Sequence, residues 1–227
     1  MIDFKGHRFK KEIILICVRW YVAYPLSYRN LAEMMAERGV QVDHTNVYRW
    51  VQKFTPQLET EFRRSCSKRP IGKSWRMDET YIKVNGQWNY LYRTVDRAGQ
   101  SVDFLLTAQR DKKAALRFFR KALGQHGLPE KVTIDKSGAN TAALQALTEE
   151  TGAAIEIRQN KYLNNVIEQD HRAVKRSVRL MLGFKSFRSA RRTLAGIELM
   201  HMIKKGQMIA AGGQELSAVQ QFYSLAA

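Results

Sequence analysis

At 227 residues the chain has room for one well-filled core and a smaller helical module, and 44% hydrophobic residues with four Trp and ten Phe exclude a disordered protein. The 38 Lys and Arg against 21 Asp and Glu give a formal net charge of +17, which favours a polyanionic partner and makes each acid worth following individually. The longest apolar run, Ile13 to Val18, is too short to cross a bilayer, and Met1 to Lys5 lacks the order of a secretory signal, so a cytoplasmic protein with no membrane partner is expected. Cys17 and Cys66 form no C-x-x-C pair, which excludes a disulfide framework and a zinc-finger pattern; both are expected to be reduced thiols.

The first amphipathic helix is predicted over Lys11 to Ala23. A second follows, capped by Ser27 and stopped by Gly39. Asp43 is a plausible N-cap for a third helix, in which Val47, Trp50, Val51 and Phe54 form one buried stripe. Two helices joined by a tight turn are a helix-turn-helix signature, so residues 1–56 read as a helical DNA-binding domain. The third helix leaves His44, Thr45, Tyr48, Arg49 and Gln52 facing outward, a set able to touch phosphate and base edges in a major groove. A helical hairpin used only for packing or dimerisation has the same pattern. Residues 57–73, with Arg63, Arg64, Lys68, Arg69, Pro70 and Gly72, read as a basic linker.

From Trp75 the hydrophobic period changes from helical to alternating. The first strand reaches Val84, Asn85-Gly86 supplies a hairpin turn, and strands Gln87 to Val95 and Ser101 to Thr107 complete a meander. The chain then alternates: a helix over Lys112 to Gly124, a strand over Lys131 to Ile134, a helix over Asn140 to Thr151, a strand over Ala154 to Ile157, and a long helix from Asn165. That order is the ribonuclease-H-like α/β fold, a mixed sheet flanked by helices, expected over residues 74–206. A helical stripe of Leu194, Ile197, Met200 and Met202 is expected to pack on the sheet or on a second subunit, and residues 207–227 read as a loosely ordered tail with a short helix over Ser217 to Tyr223.

Three acids stand out by position. Asp78 lies in the first strand, Asp135 lies just past a short apolar strand where open sheets place ligand-binding groups, and Glu168 lies on the long helix. Glu168 heads a stripe continued by Arg172, Lys175 and Arg179, beside a core stripe of Ile167, Val174, Val178 and Met181. A carboxylate trio of this kind can hold two divalent cations about 3.5 to 4 Å apart and so serve in-line displacement at phosphorus. Glu79 falls on the opposite sheet face by strand alternation, and Asp170 lies about 200° around the helix from Glu168. Both read as structural or as supports for the ligands, and His171, one turn beyond Glu168, reads as structural or exposed, with positioning of water or phosphate as the alternative. Asp96 and Asp103 are weaker candidates.

These residues carry a resemblance. Trp75 to Val84 with Gly86 and Trp88, Asp135-Lys136-Ser137, Lys161 to Arg172 with Lys175, and Gly183-Phe184-Lys185-Ser186 resemble the bacterial insertion-sequence-six family of DDE transposases over nearly the whole chain. The resemblance implies that Asp78, Asp135 and Glu168 are the metal-binding catalytic triad, and that Lys175 contacts the DNA end. It implies two Mg²⁺ ions with Mn²⁺ as substitute, and double-stranded DNA partners in the form of terminal inverted repeats and target DNA. It further implies a homodimer or larger assembly at the bacterial nucleoid. The 32 residues between Asp135 and Glu168 are slightly fewer than the family pattern implies, and the shortening is expected between Gln145 and Ala154. The alternatives are a helix-turn-helix protein whose catalytic domain has decayed, in which the three acids fail to converge, and a ribonuclease-H-like nuclease without strand transfer.

Overall fold

The computed structural model describes residues 2–65, 67–68, 70–160, 165–179, 181, 183–209 and 216–227. Its helices are α1 (Lys11–Ala23), α2 (Tyr28–Ala36), α3 (His44–Ser65), α4 (Lys112–His126), α5 (Gly138–Thr151), α6 (Asn165–Arg179), α7 (Phe187–Lys204) and α8 (Ala218–Ser224). The strands are β1 (Ser67–Lys68), β2 (Ser74–Val84), β3 (Gln87–Asp96), β4 (Ser101–Thr107), β5 (Lys131–Ile134), β6 (Glu156–Gln159) and β7 (Met208–Ile209). The elements form two compact units, Pro70–Ala173 and a composite of Met1–Arg69 with Val174–Ala227.

The Pro70–Ala173 unit is built on a five-stranded sheet in the order β4-β3-β2-β5-β6. The β2–β3–β4 meander is antiparallel, whereas β5 runs parallel to both β2 and β6, which is the expected ribonuclease-H-like arrangement. Asn85 and Gly86 adopt φ of 50° and 78°, the two positive values that a tight hairpin turn demands. Asp111 caps α4 by accepting from the Ala114 N–H at 2.7 Å. Helices α4 and α5 cover one sheet face through Phe118, Phe119, Ala143 and Leu144, which pack with Trp75, Met77, Tyr92, Val132 and Ile134. The opposite face meets the first turns of α6, where Arg93 pairs with Asp170 at 3.3 Å. Both residues of that pair are buried, so losing one partner strands the other charge.

The second unit departs from the sequence-based boundaries. Helix α3 does not stop at residue 56 but runs on to Ser65, across much of the segment read as linker, because Leu58 and Phe62 extend the buried stripe of Val47, Val51 and Phe54. Pro56 lies inside it, at the cost of one intrahelical hydrogen bond. Helix α7, expected to pack on the sheet or on a second subunit, packs on α3 and α1 within this unit. The Thr55 hydroxyl donates to the Arg192 carbonyl at 2.9 Å, and a Cβ added at Gly196 would lie 2.7 Å from both Thr55 Cγ2 and Val22 Cγ1. The end of the chain is not a loose tail where it is described: α8 is capped by Ser217, and Phe222, Leu225 and Ala226 are buried. The Lys11 ammonium donates to the Ala226 carbonyl. Cys17 is buried and unpaired, while Cys66, Arg69, Lys161 to Asn164 and the Ala210 to Gly213 segment lie outside the described residues.

Two helical glycines should respond oppositely to a side chain. Gly196→Val should destabilise the fold by about 1 to 3 kcal/mol through overpacking at the α1–α3–α7 contact. Gly124→Ala, in α4 with open space around the new methyl, should stabilise by about 0.5 to 1 kcal/mol. Urea denaturation of the two variants beside the native chain measures both signs.

Candidate active site

Strand β5 pairs with β2 only as far as Arg76↔Thr133, and beyond that point the β2 edge runs on without this neighbour. Asp78 and Glu79 follow on β2 one residue further along, after Met77, and Asp135 follows the last residue of β5. One carboxylate oxygen from each of Asp78, Glu79 and Asp135 lies within 4.8 Å of the others. The sequence-predicted pair Asp78 and Asp135 is therefore brought together. Glu79 joins them, although its backbone position is on the α4/α5 face and opposite Tyr92. Alternation governs where Cβ points, but at an open strand edge a glutamate is long enough to bring its carboxylate around to its neighbour's.

Each acid is held by specific donors. The Glu79 N–H donates to Asp78 Oδ1 at 2.9 Å, and the Ser137 N–H donates to Asp135 Oδ1 at 3.1 Å. Asn140, in the first turn of α5, donates to Glu79 Oε1 at 2.8 Å and more weakly to Asp135 Oδ1 at 3.4 Å. Arg110, between β4 and α4, donates to Asp135 Oδ2 at 2.9 Å and to Glu79 Oε2 at 3.3 Å. Burial pushes the Asp78 carboxyl up to about 6, against the Glu79 N–H; the charges of Glu79 and Asp135 raise it further. Burial also raises Glu79, with Asn140 and Arg110 pulling the other way.

Helix α6 approaches the same cluster. His171 Nδ1 lies 3.8 Å from Asp78 Oδ2, and His171 and Asp170 are both buried. Glu168 is exposed and outside the three-acid group. It lies one turn before His171, about 60° away around the helix. Arg172, Lys175 and Arg179 are exposed along α6. Asp96 and Asp103 serve structure: Asp96 accepts from the Gly72 and Gln100 N–H groups, and Asp103 pairs with Lys121 at 2.8 Å.

The cluster has the donor set of a hard divalent cation. Oxygens sharing one octahedral Mg²⁺ lie about 3 to 4 Å apart, within reach of small rotations of these side chains. A second feature fits a hydrated ion: Asn140 is fully buried and its Oδ1 has no donor, which a metal-bound water would supply.

In the composite unit, Ser27 and Asn30 form a capping box on α2, and Asp43 accepts from the Thr45 N–H at 2.7 Å. Thr45, Tyr48 and Arg49 are exposed and His44 is half-buried. Gln52 departs from expectation: it is 8% exposed and donates to the Thr193 hydroxyl at 3.0 Å, because α7 covers that side of α3. Lys53 and Arg192, which sequence reasoning missed, line a surface groove with Tyr48 and Arg49. The outward face of α3 also borders a cleft of about 510 Å³, whose far wall includes Lys185, Ser186 and Ser189.

A ribonuclease-H-like sheet that gathers acids beside its first and fourth strands defines a metal-dependent polynucleotidyl transferase of the DDE type. The chain belongs to that family, since the DDE domain matches it over residues 72–207. It is 39% identical over 208 residues to the transposase for insertion sequence-like element IS431mec of Staphylococcus aureus, covering 89% of this chain and 88% of that one. It is 38% identical over 208 residues to the transposase for insertion sequence element IS257 in transposon Tn4003, also from Staphylococcus aureus, with the same coverage. Among solved structures, the HTLV-2 integrase catalytic core domain in complex with magnesium (trimeric form) aligns at 14% identity over 68% of this chain and 99% of that one, with a TM-score of 0.48. The catalytic core domain of BIV integrase aligns at 13% identity over 67% and 95%, with a TM-score of 0.45. Among the described residues no helix is long and apolar enough to cross a membrane.

The raised Asp78 carboxyl has a stability signature. Its folded value of about 6 exceeds the ordinary 3.8, so the folded chain binds more protons between those values and loses stability as pH rises through that window. In the presence of chelator, Asp78→Asn should gain about 1 to 3 kcal/mol over the native chain above pH 6. The gain should shrink as pH falls and approach zero only below about pH 3, where the native acid is protonated in both the folded and the unfolded state. Urea unfolding at several pH values tests this, and an equal effect at every pH would contradict it.

Proposed function

We propose that this chain is the transposase of an insertion sequence, binding the terminal inverted repeats of its element and catalysing end cleavage and strand transfer into target DNA. The observation that carries the reading is the convergence of Asp78 and Asp135 from separate strands onto one site. Asp78, Asp135 and Glu168 are proposed as the ligands of two Mg²⁺ ions, with Mn²⁺ as a substitute. Bound there, the pair would activate a water or a 3′-hydroxyl and stabilise the departing oxygen. His171, 3.8 Å from Asp78, supports Glu168 as third ligand by bringing the helix that carries it to the cluster. Asp78 must ionise to act as a ligand, and the adjacent Glu79 N–H favours that form.

End recognition is assigned to α2 and α3, with His44, Thr45, Tyr48 and Arg49 reaching the duplex. Arg172, Lys175 and Arg179 are assigned to DNA phosphate on α6, with Lys175 at the DNA end. Joining two ends requires both to be held at once, so a homodimer or larger assembly on DNA in the bacterial cytoplasm, at the nucleoid, completes the reading.

Mg²⁺-dependent joining of a labelled, pre-cleaved inverted-repeat end to plasmid DNA is the decisive assay. The native chain should yield joined product, and Asp78→Asn, Asp135→Asn and Glu168→Gln should each reduce it by about 10²-fold or more. The position of Glu79 gives the assay a second use. If Glu79→Gln abolishes joining while Glu168→Gln retains it, the third ligand is Glu79 and the assignment of Glu168 fails. Separately, Arg49→Ala should weaken binding of the inverted-repeat duplex by about tenfold in a gel-shift titration, through lost phosphate or base contact.

A further inference from the structure

Arg110 received no role from the sequence, where it is one of 38 Lys and Arg. In the fold its guanidinium bridges two of the three clustered carboxylates, at 2.9 Å from Asp135 Oδ2 and 3.3 Å from Glu79 Oε2, with Nε 3.4 Å from Glu79 Oε1. A divalent cation taking Asp135 Oδ2 as ligand therefore competes with Arg110 for the same lone pairs. The two polar partners of the cluster differ in their freedom to yield. Asn140 is fully buried in the first turn of α5, whereas Arg110 belongs to the exposed segment Ala108 to Arg110 between β4 and α4.

We propose that Arg110 is a built-in competitor of the metal, displaced when the site loads, and that the released guanidinium then takes a phosphate of the DNA strand entering the site. The proposal rests on the metal assignment made above for Asp78 and Asp135. With Arg110 in place, an incoming cation meets a cluster of three carboxylates with one charge neutralised. With Arg110 drawn onto phosphate, the full negative charge is available to it. A planar, always-charged guanidinium suits either partner, carboxylate or phosphate, through the same paired donors. DNA and metal must then favour each other's binding, because each removes what opposes the other, and that coupling is reciprocal.

The test is calorimetric titration of Mn²⁺ into the full chain, alone and with a duplex carrying the inverted-repeat end, for the native protein, Arg110→Gln, Arg110→Lys and Asp78→Asn. Without DNA, Arg110→Gln should bind Mn²⁺ about fivefold or more tightly than the native chain, and Arg110→Lys should stay close to native. DNA should raise the native affinity clearly more than that of Arg110→Gln. A merely structural arginine predicts the opposite sign, since its loss would loosen the acids and weaken binding. Unchanged or weaker Mn²⁺ binding by a folded Arg110→Gln, or equal DNA coupling in both proteins, overturns the proposal. If Asp78→Asn leaves Mn²⁺ binding intact, the metal assignment itself fails, which is distinguishable from failure of the Arg110 role alone.

Discussion

The site depends on bringing like charges together where a parallel strand pair ends. Because the β2–β5 ladder stops at Arg76↔Thr133, Asp78 and Glu79 on β2 and Asp135 just past the end of β5 lie beside a common opening. Burial and mutual repulsion both raise the free energy of the ionised acids, as the upward displacement of Asp78 and Glu79 shows. The surrounding structure supplies the compensation. Helix α5 begins with the N–H of Ser137 on Asp135 and the Asn140 amide on Glu79, and the β4–α4 connection contributes Arg110.

Rigid packing around that opening limits how far the acids can relax apart. Trp75 and Met77 lock the preceding part of β2 against α4 and α5, while the buried Arg93–Asp170 pair ties the start of α6 to the other face. Arg93 is the direct cross-strand partner of Asp78, so the ion pair that fixes the helix also borders the acid. Breaking a buried pair on one side typically costs about 3 to 5 kcal/mol, which makes it a stronger determinant of α6 placement than any exposed contact along that helix.

Much of this was legible in the sequence because period and punctuation are local properties. Asn85-Gly86, the alternation from Trp75 to Val84, and the short apolar run before Asp135 located the sheet and two of its acids with little error, although β6 begins at Glu156 rather than Ala154. What escaped was decided by distant packing. Gln52 faces outward on an isolated helix, yet its partner Thr193 comes from 141 residues further on. The stripe on α7 announced burial but not the surface that buries it. That the Glu79 carboxylate reaches its neighbours escaped because strand alternation assigns a face to Cβ and says nothing of an ending ladder, and Arg110 is indistinguishable in sequence from any exposed loop arginine.

The two glutamates near the site differ in what each would give up to bind a cation. Glu79 is nearly buried, with 4% of its side chain exposed, and both of its oxygens already accept charge-assisted or amide hydrogen bonds. Ligation by Glu79 would strip donors from a buried carboxylate and leave the buried Asn140 to find a new acceptor, a cost of about 1 to 3 kcal/mol if it stays unpaired. Glu168, exposed on α6 one turn from His171, would exchange only water. Under the proposed two-metal reading, Glu168 is therefore the ligand with less to give up, and Glu79 is the acid better suited to staying hydrogen-bonded beside Asp135.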